Sequence, residues 1–456
     1  MVIVGGGLTA ATAAQTLRAE GWDGAITIVA QEAEVPYQRP PLSKGFLAGK
    51  EGEDALLPVS ADWYAENNVT LMTGTQATAL NPQSHTVTLA DGTTLPYTKV
   101  LLATGADPRR IPFPGVDLEG VYTFRTKADS VALKELLTGG GKNVVLIGSG
   151  WIGMEIAATA SELGNNVALM GLEEVPLSVA IGTQLGTVFT DRHKEAGVRF
   201  ELPASAAEIQ GTDGQVRSVL TTTGVTLPAD VVIVAVGVVP NIALAQDAGL
   251  TINNGIEVDS ALRTSETDVF AAGDVANALH PVTGIHARSE HWANAIASGK
   301  VAAKSMLGKV AVLDDIPYFY TDQFDLGMEY SGFGSLTKDA ELVIRGELAS
   351  REFIAFWVLD GRVVAGMNVN IWDVQDAIKD LISSQRIIDT AALADPKPRS
   401  RGFDGDYEHL LRFSCTPGHR HPVLHSAVAA SGPSIWSPHP GLQPASGFDG
   451  HRQPHP

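Results

Sequence analysis

A short run of β-branched residues that passes directly into a glycine turn and then an alanine-rich helical pattern occurs twice in this chain. Val2-Ile3-Val4 runs into Gly5-Gly6-Gly7-Leu8-Thr9-Ala10 and a helical pattern that ends near Gly21. Val144 to Ile147 runs into Gly148-Ser149-Gly150-Trp151-Ile152-Gly153, followed by a helical pattern from Met154 to Leu163 that closes at Gly164. Each copy is followed by an apolar strand that ends in small residues, Val100 to Gly105 (VLLATG) and Val231 to Gly237 (VVIVAVG). Strand, glycine turn, helix and later strand, repeated, predict two parallel-sheet nucleotide-binding domains.

The spacing has a physical reason. The first two glycines of each turn allow a tight bend and let backbone N–H groups approach a pyrophosphate, and the helix N-terminus adds roughly half a positive charge toward it. The third position needs only a small residue where helix meets strand, so Ala10 in the first copy satisfies it. Such sites add an acidic residue about 20 positions on for the adenosine ribose. In the first copy the strand Ile26 to Ala30 ends at Gln31-Glu32, and either side chain can serve. In the second the strand ends at Gly171, with Glu173 and Glu174 slightly later and no lysine or arginine to hold a 2′-phosphate. NAD is therefore expected over NADP.

A chain of 456 residues is about three times the roughly 150-residue domain norm, which predicts two to four domains. Gly139 to Lys142 reads as a flexible connection, and Val269 to Asp274 (VFAAGD) as a third strand-to-helix turn. The simplest arrangement inserts the second domain into the first. The expected division is a discontinuous first nucleotide-binding domain over 1–112 and 241–312, a second nucleotide-binding domain over 113–240 and a C-terminal α+β domain over 313–395. In the last, the alternating runs Glu341 to Gly346 and Phe353 to Val358, with Asp360-Gly361 as a turn, predict an antiparallel sheet closed by a helix after Trp372. Residues 401–456 carry seven of the twelve histidines and eight of the twenty-five prolines without helical or strand periodicity. The segment from 396 on is expected to be disordered or non-native, and no metal site is assigned to it.

Charge and cysteine content exclude several function classes. The formal net charge of −19 opposes nucleic acid and acidic membrane surfaces as partners. One cysteine, Cys415, can form neither an internal disulfide nor a redox dithiol, which fits a reducing cytoplasm. No uninterrupted stretch of eighteen apolar residues exists, and the apolar N-terminus lacks the cationic residues of a signal peptide, its first basic residue being Arg18. Two further segments are candidates on chemical grounds. Asp274 follows a small-residue turn, where a carboxylate can accept hydrogen bonds from a polyol or simply cap a helix. The stiff segment Pro36 to Lys44 (PYQRPPLSK) carries two cations, Arg39 and Lys44.

Taken in order, GGGLTAA, PYQRPPLSK, LLATGADPR, FRT at 124–126, IGSGWIGMEIA, AVGVVPN, VFAAGDVA, RSEHWANA and YFYTDQFD resemble the flavin-dependent ferredoxin reductases of oxygenase systems, a group that includes putidaredoxin, rubredoxin and rhodocoxin reductases within the glutathione-reductase-like superfamily. The resemblance covers roughly residues 1–395. It implies that Gly5, Gly7, Leu8, Thr9 and Ala10 hold an FAD pyrophosphate, that Gln31 or Glu32 meets the ribose, and that Arg39, Lys44, Ala77, Ala103, Thr104, Gly105, Arg125, Gly273, Asp274 and Trp292 line the flavin. Lys44 would lie near flavin N5. Gly148, Gly150, Trp151, Ile152, Gly153 and Glu155 would form the NAD site, with Glu155 approaching both the nicotinamide and Lys44, and Gly237 nearby; Glu173 is the further candidate there from its place after the second strand. Lys44 and Glu155 are the implied catalytic pair.

The implied activity is hydride transfer from NAD(P)H to FAD, then single-electron transfer to a ferredoxin or rubredoxin. A local basic patch for that partner, with Arg39 and Arg288, is expected. Superfamily members that reduce disulfides place a cysteine beside the flavin, where this chain has Ser43-Lys44. The alternatives are an NADH oxidase or quinone or dye reductase, and a flavin-binding protein like apoptosis-inducing factor. Four departures stand out: Gly171 replaces the acidic residue usual in NADH-using relatives, Tyr320 stands where tryptophan is common, the first strand begins at Met1 with no leading residues and is expected to be short, and the segment after Asp395 has no counterpart.

Overall fold

In the computed structural model, residues 1–395 are described; the histidine- and proline-rich segment and Cys415 lie outside them. The two glycine turns belong to two five-stranded parallel sheets of the same plan. The first runs Val269–Ala271, Val100–Leu102, Val2–Val4, Ile26–Val29, Val69–Met72, and the second Arg199–Glu201, Asn166–Met170, Asn143–Ile147, Val231–Val234, Val121–Thr123. All strands of the second sheet fall in the sequence between Val100–Leu102 and Val269–Ala271 of the first, so the second unit is inserted in the first. Val2–Val4, Val100–Leu102 and Val231–Val234 are buried throughout, as strands covered on both faces must be; in the second sheet Val145, Ile147, Val232 and Val234 share one core with Ile209, Val216, Val219 and Leu227 of an antiparallel layer.

The duplication extends to single hydrogen bonds. Gly5 N–H donates to Val29 O and Gly148 N–H to Met170 O, both at 2.8 Å. Ala103 N–H donates to Val4 O, and Ala235 N–H to Ile147 O. A Cβ on Gly5 would lie 2.0 Å from Ala103 O, and one on Gly148 2.2 Å from Ala235 O, each on a backbone of positive φ. Only glycine fits either position.

Each sheet carries a three-stranded antiparallel meander that sequence periodicity did not reveal, Ala77–Asn81 with Thr86–Leu89 and Thr94–Pro96 in one, Ala206–Thr212 with Gln215–Thr221 and Thr226–Pro228 in the other. An antiparallel ribbon of Ala106–Pro108 and Val238–Pro240 joins the connections between the two units. The third unit is the expected antiparallel sheet, ordered Tyr318–Gln323, Leu326–Gly332, Arg362–Val369, Glu352–Leu359, Glu341–Glu347. Its Asp360-Gly361 hairpin takes φ of 50° and 73°, the twist that suits a two-residue loop. The closing helix is Gln375–Ser384, with Ile378, Leu381 and Ile382 buried.

One expectation is corrected. Val269–Ala271 is a strand, but no α-helix opens at Asp274. Gly273–Val275 is a single 3₁₀ turn, the chain continues as the hairpin Ala276–His280 and Ile285–Arg288, and the helix starts only at Trp292, running to Met306. Asp274 therefore caps no α-helix.

Candidate functional site

At both glycine turns the helix N-terminus is left open. Gly7 and Gly150 precede the helices Leu8–Ala19 and Trp151–Glu162; neither helix has a side-chain cap or an acidic residue in its first turn. Their orphan N–H groups need a partner from outside the helix. A Cβ built on Gly7 or Gly150 would meet nothing within 4 Å, and both have negative φ. Protein packing does not demand glycine there; what the missing side chain keeps clear is the space in front of the helix, where a phosphate fits. At the third position Ala10 is fully buried, whereas a Cβ on Gly153 would lie 2.2 Å from Gly148 O.

From the first turn a cavity of about 1030 Å³ runs to the start of the second unit's helix. At one end Gln31 and Glu32 line it. The Glu32 carboxylate accepts from the Tyr37 hydroxyl at 2.5 Å and from Arg39 at 3.2 Å. Burial, ahead of any charge effect, raises the Tyr37 pKa, so Tyr37 stays a neutral donor. Ala77, Ala103, Thr104 and Gly105 form the wall beyond.

In the middle, Arg39 donates to Arg125 O at 2.8 Å, and Arg125 reaches the Asp274 carboxylate at 2.5 Å. Trp292 Nε1 donates to Gln38 Oε1 at 2.9 Å. Arg125 Nε is buried without a hydrogen-bond partner, an orphan donor in the wall that an acceptor on a bound molecule would satisfy. Arg39 and Arg288, expected in a basic docking patch, are instead paired with Glu32 and Glu290.

The far end is the chemical centre. The Pro40–Ser43 turn is tied down by Ser130 Oγ on Leu42 O and Thr159 Oγ1 on Ser43 O, which presents Ser43 and Lys44 to the helix Trp151–Glu162. The Glu155 carboxylate there takes three donors: Ser43 Oγ, Lys44 Nζ at 3.2 Å and Thr321 Oγ1 at 2.6 Å. Gln323 Nε2 supports Thr321 at 3.1 Å. Burial by itself would lower the Lys44 pKa, but Glu155, with Tyr320 and Asp322, outweighs it and the net shift is upward. Lys44 Nζ also lies 5.3 Å from the centre of the Tyr320 ring, a cation–π contact. Beside them the His291 ring stacks on Phe319 at 4.5 Å, and burial, against a smaller opposing pull from Asp274, drives the His291 pKa down to about 4.

Of the residues singled out in the sequence, Gly5, Gly7, Leu8, Thr9, Gln31, Glu32, Arg39, Lys44, Ala77, Ala103, Thr104, Gly105, Arg125, Trp151, Ile152, Glu155, Asp274 and Trp292 line this one cavity. Ala10 lies behind it in the core, and Gly273 sits under Thr9, whose Oγ1 a Cβ would meet at 2.5 Å. Gly148, Gly150, Gly153 and Glu173 gather at the second glycine turn, with Glu173 bonded by Ser149. Gly237 leads into the inter-unit ribbon, its carbonyl accepting from Arg109 N–H. Sequence reasoning missed Thr321, Gln38, His291 and Phe319 as site residues. Each lies inside a quoted motif, but nothing local marks which members of a motif point inward.

Residues 1–299 match the family described as pyridine nucleotide-disulphide oxidoreductase, and residues 318–402 match the reductase C-terminal family. The chain is 38% identical over 398 residues to the anthranilate 1,2-dioxygenase system ferredoxin–NAD(+) reductase component of Burkholderia cepacia, covering 87% of this chain and 97% of that one. With rhodocoxin reductase of Rhodococcus erythropolis it shares 32% over 434 residues, 94% and 97% of the two chains. Its fold matches the reductase in a crystal structure of the covalent putidaredoxin reductase–putidaredoxin complex with a TM-score of 0.83 at 32% identity, over 86% and 95% of the chains. The chain therefore belongs to the pyridine nucleotide-disulphide oxidoreductase family and carries the reductase C-terminal domain.

Proposed function

We propose that the protein is an FAD-containing NAD(P)H-dependent reductase that passes electrons singly to a ferredoxin-type iron–sulfur protein serving an oxygenase. The observation that carries this reading is the continuous cavity from one open helix N-terminus to the start of the other nucleotide unit, with the Lys44–Glu155 pair at the junction. The cradle at Gly7, the open helix and the orphan Arg125 Nε fit an FAD. The names of its relatives, reductases of ferredoxins and of dioxygenase systems, support the acceptor class. FAD, when bound, supplies the hydride and one-electron chemistry.

The chain's own residues bind and orient. The turn Gly5 to Ala10 holds the diphosphate, Glu32 or Gln31 accepts from the ribose hydroxyls, and Arg125 and Asp274 fix the middle of the molecule. Lys44, held by Glu155, would present a positive charge to the reactive ring, and Glu155 would line the approach of the nicotinamide. Disulfide reduction by a cysteine pair is excluded, because the only cysteine is Cys415. The proposed division assigns 1–112 with 241–312 to FAD, 113–240 to NAD(P) and 313–395 to the acceptor-facing domain. Among the described residues no helix is long and apolar enough to cross a membrane, and the cysteine content supports a cytoplasmic site of action.

Steady-state turnover with NADH tests this, with a purified two-iron ferredoxin as acceptor against oxygen alone. Ferredoxin reduction that far outpaces oxygen consumption is expected. Equal rates with oxygen or a quinone would replace the reading with an oxidase or quinone reductase.

A further inference from the structure

We propose that Glu173, held in place by Ser149, is the specificity-determining residue that reads the adenosine ribose of the dinucleotide, and that this pair replaces a carboxylate missing from position 171. The inference rests on the second glycine turn being the NAD(P)H site. A Rossmann unit reads the ribose 2′-hydroxyl with an acidic side chain just past its second strand. Here that strand, Asn166–Met170, ends at Gly171, which has no side chain to offer.

Position 171 is closed to a substitute for a local reason. A Cβ there would lie 2.1 Å from Ser149 Oγ and 2.6 Å from Ser149 Cβ. Ser149 is buried at 4% exposure in the middle of the glycine turn, and its hydroxyl donates to Glu173 Oε2 at 2.6 Å. The bond ties the carboxylate to the very turn whose helix N-terminus would face the diphosphate, on the side of the strand end where an adjoining ribose would be read. Gly171 and Ser149 act as one device: the glycine leaves room for the serine, and the serine draws in an acid from two positions later.

The charge balance of the loop supports the same assignment. Residues 171–182 contain Glu173 and Glu174 and no lysine or arginine. Arg199, on the neighbouring strand, is engaged by Glu201. Among the described residues no cation is paired with Glu173. A carboxylate in this setting accepts hydrogen bonds from a diol and repels a 2′-phosphate. Leu172, 75% exposed, adds an apolar surface to the loop, suited to the adenine that adjoins the ribose. The ligand class is thus an adenine dinucleotide with a free 2′-hydroxyl.

The test compares wild type, E173Q, S149A and the double variant, each checked for flavin content and circular dichroism. KM and kcat are measured with NADH and NADPH using ferricyanide as acceptor, and binding of NAD⁺ and NADP⁺ by titration calorimetry. Wild type is expected to prefer NADH. E173Q should lower the NADH-over-NADPH preference by roughly tenfold, as loss of a hydrogen bond to a charged acceptor implies, with the change carried by KM and by NAD⁺ affinity. S149A should move the same ratio by about threefold, and the double variant no further than E173Q alone, because the serine acts through the glutamate. A ratio for E173Q within twofold of wild type, or a wild type that prefers NADPH, overturns the inference while leaving the reductase reading intact. A wild type that neither binds nor oxidises either nucleotide overturns both.

Discussion

Glu155→Gln is the most informative single change, because it reverses the electrostatics of one buried lysine. The wild-type carboxylate, 8% exposed at its side chain, accepts from Ser43, Lys44 and Thr321. The substituted amide loses the charge that faces Lys44, and its NH₂ end can be satisfied only if a hydroxyl that donates in wild type turns round to accept. Breaking one partner out of a buried ion pair costs about 3–5 kcal/mol.

The pH dependence carries the sharper signature. In wild type the Lys44 pKa is raised, because Glu155 and its neighbours outweigh burial. The lysine's contribution to stability is then complete at neutral pH and lost only as pH rises through its folded pKa, above the usual ~10.4. Without Glu155, burial dominates and the folded pKa falls below that of the unfolded chain. The variant is then penalised most at neutral pH, and the penalty fades as pH climbs toward ~10. Urea denaturation followed by circular dichroism at pH 7 and about pH 9.5 is expected to give a wild-type-minus-variant gap of about 3–5 kcal/mol that narrows at the higher pH. A second check is that K44M/E155Q is less damaging than the sum of its parts. A gap under about 1 kcal/mol at pH 7, or one that does not narrow, would refute the assignment of Lys44 as a buried cation held by Glu155.

Three further outcomes are expected. G7A should fold with near wild-type stability and lose flavin affinity, since its Cβ enters only the clear space before the helix, whereas G5A should lose several kcal/mol through its contact with Ala103 O on a φ of +125°; flavin absorbance and thermal melting separate the two. Because His291 titrates near 4 when folded and near 6.5 when unfolded, stability should decline as pH falls from about 6.5 to 4 by up to about 3 kcal/mol and then level off; H291F should flatten that stretch of the melting-temperature profile, and an unchanged profile would contradict it. T321V should cost about 1–2 kcal/mol and slow reduction by NADH, with T321S restoring both; a valine variant as fast as wild type in stopped flow would remove Thr321 from the positioning of Glu155.

What could be read in the sequence was what local pattern encodes. The paired sheets follow from short runs buried on both faces and from glycines whose missing Cβ atoms are demanded by facing carbonyls, at Ala103 and at Ala235. The Asp360-Gly361 hairpin follows from the left-handed backbone that those two residues tolerate. Val269 to Asp274 misled for a complementary reason: an apolar strand followed by Ala-Gly-Asp imitates a strand-to-helix turn, yet the next residues, Ala276–His280, pair with Ile285–Arg288 as a hairpin and postpone the helix to Trp292. The site itself is made by long-range contact. Ser43 and Thr321 reach Glu155 across 112 and 166 residues of sequence, and no periodicity or spacing encodes such a meeting. Lys44 and Glu155 were identified through family resemblance, and Thr321, although inside a matching motif, was not, because the motif assigns it no role.

Anaerobic titration of the purified protein with NADH, followed by its visible absorbance, tests the central claim most directly: that one cavity brings a flavin and a nicotinamide together at Lys44 and Glu155. The expected result is a yellow protein with one FAD per chain whose flavin band bleaches fully with one equivalent of NADH. A colourless protein, or a flavin that reduces with dithionite and ignores NADH, would contradict it.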